Sequence, residues 1–374
     1  MPAVDAVHAR QGDRYSLEAP AFGARPAVLK RVHRWLALLL FAPVLLVGLS
    51  GAALVFREEL TPLVTPEIVV AEQAGGTPRY ERVLAAARAA APGADAYDLL
   101  ARQPGRAVEV WVQQDGAQRA LFVDAGAGRI VADSDRDFLP LAMLYRLHKT
   151  LLLREAGETL AGLAGLALLF MSFSGFVLWQ RNPAMPLRIR GRAGTLALNF
   201  DLHRSTGVVF AAILAVNAFT GVAMTFDGLS SRAVNAIAGA PAGTSPVAGA
   251  PGPMRELDLL LSAAQAAVPG GELARVTVRE GKGWVIARFR LPGEQATFGM
   301  NRVHVESSTG RVLRVSLLQD LAPGNGMFEW LYPLHTGRLI GGGYRAALVA
   351  AGAAPVLLLA TGLVLWHRRR RRGR

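Results

Sequence analysis

The chain is 374 residues long, and its 52% hydrophobic content and mean hydropathy of +0.29 are too apolar for the two or three soluble domains that this length would accommodate. Lys and Arg total 41 against 28 Asp and Glu, a formal net charge of +13, so nucleic-acid binding has to be weighed. There is no Cys, which excludes thioether-attached haem, iron–sulfur clusters, thiolate zinc and disulfides.

In chain order, residues 1–27 read as a polar tail that contains His8. Residues 28–57 carry the first uncharged apolar run, Trp35 to Phe56, long enough to cross a bilayer core of about 30 Å and longer than the apolar region of a cleaved signal. Residues 58–142 are polar enough to form an external module. Residues 143–181 hold a histidine segment and then a second run, Thr159 to Gln180; a basic loop follows at 182–201. The third run, Ser205 to Phe226, falls in 202–227. Residues 228–330 begin with a Gly/Pro/Ala-rich linker, Ala238 to Pro253, and continue into a second module. A second histidine segment and a fourth run, Ala346 to Trp366, occupy 331–367, and 368–374 form a basic tail.

Four transmembrane helices are therefore predicted. The stretches 25–34, 181–204 and 367–374 hold fifteen cations against one acid, Asp201. By the positive-inside rule these stretches are cytoplasmic, with both termini inside and both modules outside. The basic end, Arg368 to Arg374, then serves as an anchor for membrane lipids, and because the charge hugs the membrane ends no nucleic acid is expected as a partner.

The chain repeats itself. Val32-His33-Arg34 precedes the first run and Leu202-His203-Arg204 the third; Ser50-Gly51 and Thr220-Gly221 follow those two histidines at one and the same interval. Leu144-Tyr145-Arg146-Leu147-His148 precedes the second run and Leu331-Tyr332-Pro333-Leu334-His335 the fourth, with Ser174-Gly175 and Thr361-Gly362 downstream at a second, longer interval that is again identical in the two copies. Outside the runs, the stretch from Ala86 to Gly93 matches the stretch from Ala263 to Gly270, a helix ended by Pro-Gly. Val123-Asp124 with Gly128-Arg129-Ile130 matches Val305-Glu306 with Gly310-Arg311-Val312, a strand, a turn and a strand. Each external module is thus read as α+β, helix first.

In the LHR-type helix starts, the S/T-G pairs and the V-[DE]-x3-G-R-[IV] turns, the chain resembles the PepSY-associated transmembrane family over residues about 28 to 369. The resemblance implies a membrane α-helical fold, internally duplicated, with four transmembrane helices and two small periplasmic PepSY-like α+β modules. It also implies placement in the bacterial inner membrane, and its better-understood branch comprises haem-containing reductases of iron–siderophore complexes.

The repeat sorts the seven histidines. His33 pairs with His203 on the cytoplasmic side and His148 with His335 on the outer side, whereas His304 corresponds to Phe122, His367 to Gln180, and His8 lies in the tail. A b-type haem needs two neutral imidazoles on opposite faces of the iron, and two symmetric pairs match two haem b groups, one at each membrane face. The alternative reading is four interfacial histidines that cap helices.

Gly51 and Gly221 are placed near the outer face and Gly175 and Gly362 near the inner face, as flat packing surfaces for haem or as small-residue helix contacts. Arg34 and Arg204 flank the inner pair, and Arg146, Lys149 and Arg338 the outer pair, where propionates need cations. Asn217 is expected to make an interhelical hydrogen bond.

The expected function is an oxidoreductase of electron transfer and iron uptake, a ferric-siderophore reductase that carries electrons across the membrane to ferric iron in the periplasm. Outer-sphere transfer demands no catalytic acid, base or nucleophile. Substrate is expected to dock above the outer pair, near Phe328, Trp330, Tyr332, Tyr145 and Tyr344. The chain has no dinucleotide or P-loop motif, so the electron donor is external, a membrane quinol or a cytoplasmic flavoprotein. The alternative is a membrane-anchored sensor or protease-regulating scaffold without redox activity.

Overall fold

The computed structural model describes residues 26–69, 79–101, 105–115, 117–180, 187, 189–192, 194–238, 249–250, 252–279, 281–294, 298–321 and 323–372. Nearly all of the tail with His8, part of the basic loop and most of the predicted linker lie outside these residues.

The first helices are α1 (Pro26–Leu39), α2 (Phe41–Leu54) and α3 (Arg57–Val64). A single straight first span was expected, but α1 and α2 meet at a bend of 69°. The cause is Pro43: without an N–H, and with a ring that clashes with the carbonyl four residues back, it stops the first helix at Leu39. His33 and Gly51 therefore do not share one straight helix, as an unbroken span would place them.

The first module comprises α4 (Tyr80–Ala90), β1 (Ala96–Leu100), β2 (Val108–Gln114), β3 (Ala117–Asp124) and β4 (Arg129–Asp133). It is followed by a short helix, α5 (Pro140–Thr150), and by α6 (Arg154–Gln180). Next come α7 (Thr195–Thr225) and α8 (Asp227–Ala238). The second module is α9 (Leu257–Ala267), β5 (Glu272–Arg279), β6 (Trp284–Arg290), β7 (Asn301–Glu306) and β8 (Val312–Ser316), followed by α10 (Pro323–His335) and α11 (Gly342–Arg372). Helix α6, helix α7 and residues Gly342–Arg368 of α11 are each long and apolar enough to cross a membrane, and the bent pair is a fourth candidate if counted as one span. Helix α7 packs against α6 and α11, and α11 against α2. Large apolar side chains on their outer faces, such as Leu166, Phe173, Val209 and Phe219, remain exposed, as lipid-facing positions require. This is a membrane protein.

The two modules are not separate bodies. Their strands form one antiparallel sheet in the order β4-β3-β2-β1-β5-β6-β7-β8. The join is β1 against β5, Ala96 opposite Arg279 through Leu100 opposite Arg275. Each four-stranded half would otherwise leave an open edge of unpaired backbone, and pairing the two edges removes both. A register shift falls at equivalent places in the two halves, between Phe122 and Val123 and between His304 and Val305.

Alternation along the strands decides what each face carries. Val108, Val110 and Val112 point to one face, with Val276, Val278, Val303 and Val305, where α4 and α9 seal a core through Leu84, Leu257 and Leu260. The intervening residues, among them Glu109, Trp111, Arg275, Arg288 and Arg302, are thereby turned to the other face, toward α5 and α10. His304 also alternates onto this second face, where it packs edge-on to Trp284 with a centroid separation of 6.0 Å.

After α5 the chain turns through left-handed backbone at Leu151 (φ 48°), Leu152 (φ 61°) and Arg154 (φ 55°). The corresponding turn after α10 uses Gly337 and Gly341, which adopt positive φ without steric cost. Both turns separate a short histidine-bearing helix from the long helix that follows it.

Candidate functional site

Four of the seven histidines come together in two pairs. His33 on α1 faces His203 on α7 with ring centres 6.5 Å apart, and His148 on α5 faces His335 on α10 at 6.1 Å. The second pair stands on the sheet side. The first pair stands far along the bundle: Ser174, which touches His33, lies near the far end of α6, about 30 Å of helix from its start.

Each imidazole is held by the S/T-G motif of a neighbouring helix. His33 Nδ1 is 2.8 Å from Ser174 Oγ, His203 Nδ1 3.1 Å from Thr361 Oγ1, His335 Nδ1 2.9 Å from Thr220 Oγ1 and His148 Nδ1 3.4 Å from Ser50 Oγ. Three rings also meet a backbone carbonyl: His148 that of Val47 at 2.9 Å, His203 that of Leu358 at 3.0 Å and His335 that of Asn217 at 3.2 Å. The four hydroxyls donate within their own helices, Ser50 to Leu46, Ser174 to Met171 (3.3 Å), Thr220 to Val216 (2.9 Å) and Thr361 to Leu357 (2.6 Å). A carbonyl can only accept, so Nδ1 of His148, His203 and His335 carries the proton and donates it; at His33 the Ser174 hydroxyl is the partner of Nδ1. That leaves Nε2 of those three rings with a free lone pair, the arrangement in which a partner behind the ring fixes the tautomer of a metal-binding imidazole.

The glycines of the same motifs clear the rings. A Cβ on Gly51 would lie 2.8 Å from His148 Cε1 and one on Gly221 3.2 Å from His335 Cε1; for Gly175 against His33 and Gly362 against His203 the distance is 3.5 Å in both cases. The small-residue contact expected of these glycines is thus made to an imidazole edge. The sequence pattern exposed the motif but not its division of labour, glycine to admit the ring and hydroxyl to orient it. Asn217 does bridge helices, donating from Nδ2 to the carbonyl of His335 at 3.3 Å.

The ring separation in each pair would let His33 with His203, and His148 with His335, hold one iron between them, as a b-type haem would require. Metal–imidazole bonds of about 2 Å on each side, plus about 1 Å from nitrogen to ring centre, separate two ligating rings by roughly 6 Å. Among the described residues no cluster of three or more His, Asp or Glu could hold a bare metal ion, which sets these pairs apart from a zinc-type site. The remaining histidines stay apart: His304 lies in the sheet, and His367 is exposed near the end of α11.

The cations expected beside the pairs are engaged by the chain itself. Arg204 meets Asp201 at 3.3 Å, Arg338 meets Glu58 at 2.8 Å, and Lys149 lies 3.7 Å from Glu158. Arg146 donates to Asp135 at 3.0 Å and to the carbonyl of Gln118 at 2.9 Å, while Arg34 lies over the ring of Trp35 at 5.9 Å. Carboxylates within reach of a guanidinium claim it: Arg204 and Asp201 are three residues apart on one helix, a spacing legible in the sequence, whereas Arg338 and Glu58 meet only through the fold.

Between the sheet and the sheet-side pair opens a cleft of about 390 Å³. Tyr145 and Tyr332, each three residues before a paired histidine, line it, as does Phe328; Trp330 and Tyr344 stand outside it. Tyr145 packs on Trp111 at 5.1 Å and Tyr332 on Phe298 at 4.9 Å. Arg57 lies over both Trp111 and Tyr145, at 5.4 and 5.6 Å, and is ion-paired to Glu109, which is fully buried. Arg288 (2.7 Å) and Arg302 both bind Glu329 on α10, tying the sheet to the helix that carries His335. These strand arginines were not singled out in the sequence; the signal was their alternation with buried valines.

A family model described as "PepSY-associated TM region" matches residues 30–369. An uncharacterized protein of Pseudomonas aeruginosa is 28% identical over 263 residues, 62% of this chain. The match spans 64% of that relative's length, just under two thirds of it.

Proposed function

The chain belongs to the PepSY-associated TM family, and we propose that it is a di-haem inner-membrane protein that passes electrons across the membrane to ferric iron held by a siderophore in the periplasm. In this reading the bent pair α1–α2 forms one span, so that four transmembrane helices, related by internal duplication, put both termini in the cytoplasm and the sheet in the periplasm. His33 and His203 hold one b-type haem near the cytoplasmic face; His148 and His335 hold the other beneath the sheet. The observation that carries the proposal is the pair geometry: two imidazole pairs 6.5 and 6.1 Å apart, each Nδ1 set against a hydroxyl of a neighbouring helix.

Each haem, when bound, supplies one-electron ferric/ferrous chemistry. The chain's own part is to fix the ligand tautomers, to keep the two sites at opposite ends of the bundle, and to exclude water between them with apolar helices. Ferric iron reduced to the softer ferrous ion is held less tightly by hard oxygen chelators and is released. The electron enters from a membrane quinol or a cytoplasmic flavoprotein, since the chain has no dinucleotide motif.

Purified protein is expected to show haem absorption that responds to dithionite, with two haems per chain released by acid-acetone, because no Cys holds them. Colourless protein from haem-replete cells would instead favour a sensor or scaffold. The glycines provide a second expected result. Gly51→Ala forces His148 aside and lowers haem content, whereas Gly362→Ala, whose Cβ meets His203 at ordinary contact distance, leaves it near two per chain. Equal loss in both variants would show that these glycines do not act through the rings.

A further inference from the structure

We propose that the cleft beneath the sheet selects ferric chelates of net negative charge whose donors are aromatic, phenolate or catecholate rings, over neutral or cationic hydroxamates. This rests on the reductase reading and specifies the substrate class of its sheet-side site.

Charge is the first argument. The cleft is lined by Arg57, Arg275, Arg288 and Arg302 but by only two acids, Asp227 and Glu329. Arg57 is matched by Glu109 and Arg275 by Asp98 at 2.8 Å, but Arg288 and Arg302 share the single carboxylate of Glu329. Burial pushes the Arg288 guanidinium down to about 10, and Arg302 and Arg275 act in the same direction against Glu329. With Asp227 counted, four guanidiniums face four carboxylates around the cleft, so the excess is local: the Arg288–Arg302 wall sets two guanidiniums against the one carboxylate of Glu329 and offers an anion the second charge. A chelate gains one negative charge when its iron accepts an electron, so the same guanidiniums favour the reduced complex over the oxidised one.

Shape is the second. Two tilted ring pairs, Trp111 with Tyr145 (51°) and Phe298 with Tyr332 (42°), line the cleft, and guanidiniums already lie on them, Arg57 over Trp111 and Tyr145 and Arg275 over Phe298 at 5.6 Å, so the lining alternates aromatic rings with guanidinium planes. Planar rings stack on such surfaces and on guanidinium planes, whereas aliphatic hydroxamate chains have no planar face to offer. The volume of about 390 Å³ is near the lower end of ligand pockets, which run from about 300 to 1,000 Å³, and suits a compact chelate.

The test uses gallium(III), a redox-inert stand-in for ferric iron, so that binding is read apart from reduction. Full-length protein in nanodiscs is titrated with trianionic gallium tris-catecholate and, separately, with the monocationic gallium complex of a linear trihydroxamate. Binding is followed by equilibrium dialysis and by quenching of tryptophan fluorescence, to which Trp111 contributes. The anionic complex is expected to bind at least tenfold more tightly, with the gap closing at high salt. Arg302→Gln, and independently Arg275→Gln should the first variant fold poorly, is expected to weaken the anionic complex about tenfold and to tighten the cationic one, because the same charge repels it. Equal binding of the two complexes, tighter binding of the cation, or indifference of the anion to both substitutions would overturn the proposal.

The ferric counterparts are then added to the dithionite-reduced protein without oxygen, where each electron lost by the protein reduces one ferric ion. Reoxidation by ferric chelates without regard to their charge would sink this inference and keep the reductase reading. Selective binding of the gallium anion with no reoxidation by any ferric chelate would do the reverse.

Discussion

His335→Ala is expected to leave one haem per chain in place of two and to slow reduction of an external ferric chelate at least tenfold, while the remaining haem stays reducible by dithionite. In the intact chain the His335 ring is oriented by Thr220 at 2.9 Å and by the Asn217 carbonyl at 3.2 Å, and it faces His148 at 6.1 Å. Removing it leaves His148 as the one imidazole at that site, and with no Cys in the chain no covalent link retains the cofactor. The far pair, His33 and His203, shares no hydrogen bond with the sheet-side pair and is expected to load normally. His33→Ala should give the mirror result, one haem left beneath the sheet but cut off from its electron supply. His304→Ala and His367→Ala should keep two. A pyridine haemochrome assay and anaerobic reoxidation with a ferrous trap measure both outcomes. Loss of a haem in His367→Ala, or two haems retained in His335→Ala, would show that the pairing of these histidines is not the ligand set.

Glu109→Leu is expected to destabilise the sheet's seat on the helices by about 3–5 kcal/mol, the cost of leaving a buried charge without its partner. Glu109 is fully buried, and its ion pair joins β2 to Arg57 on α3, next to the rings of Trp111 and Tyr145. Removing both charges in Arg57→Leu/Glu109→Leu should recover much of the loss, because a well-packed apolar pair avoids the desolvation that the ions pay. Thermal melts of the two variants and the parent, followed by tryptophan fluorescence, measure the difference. A single variant that melts with the parent would mean that Arg57 finds another carboxylate.

Much of the architecture was legible in one dimension. A run of about 20 apolar residues is a local property, and so are the basic stretches beside it and the alternation of valine with polar residues in β2 and β5. His33 and His203 stand at one equal interval from the S/T-G pair downstream of each, and His148 and His335 at another, which singled out four histidines from seven. The bend of the first helix is local as well, since Pro43 acts through its own missing N–H and the carbonyl four residues back, an effect that apolar composition alone does not show. Three-dimensional packing decided the rest. The modules merged because β1 and β5 each had an open edge, and no pattern within one strand names its partner.

The roles around the histidines were decided in the same way. That Gly51 touches the ring of His148, that Thr361 accepts a hydrogen bond from His203, and that Arg338 is held by Glu58 all depend on which helices pack together. By itself the sequence determined which residues are apolar, which are charged and which recur at a fixed interval, because those are properties of single positions and their spacing. Only the tertiary structure decided which of them touch, because a hydrogen bond of about 3 Å between residues more than a hundred positions apart depends on the relative placement of two helices.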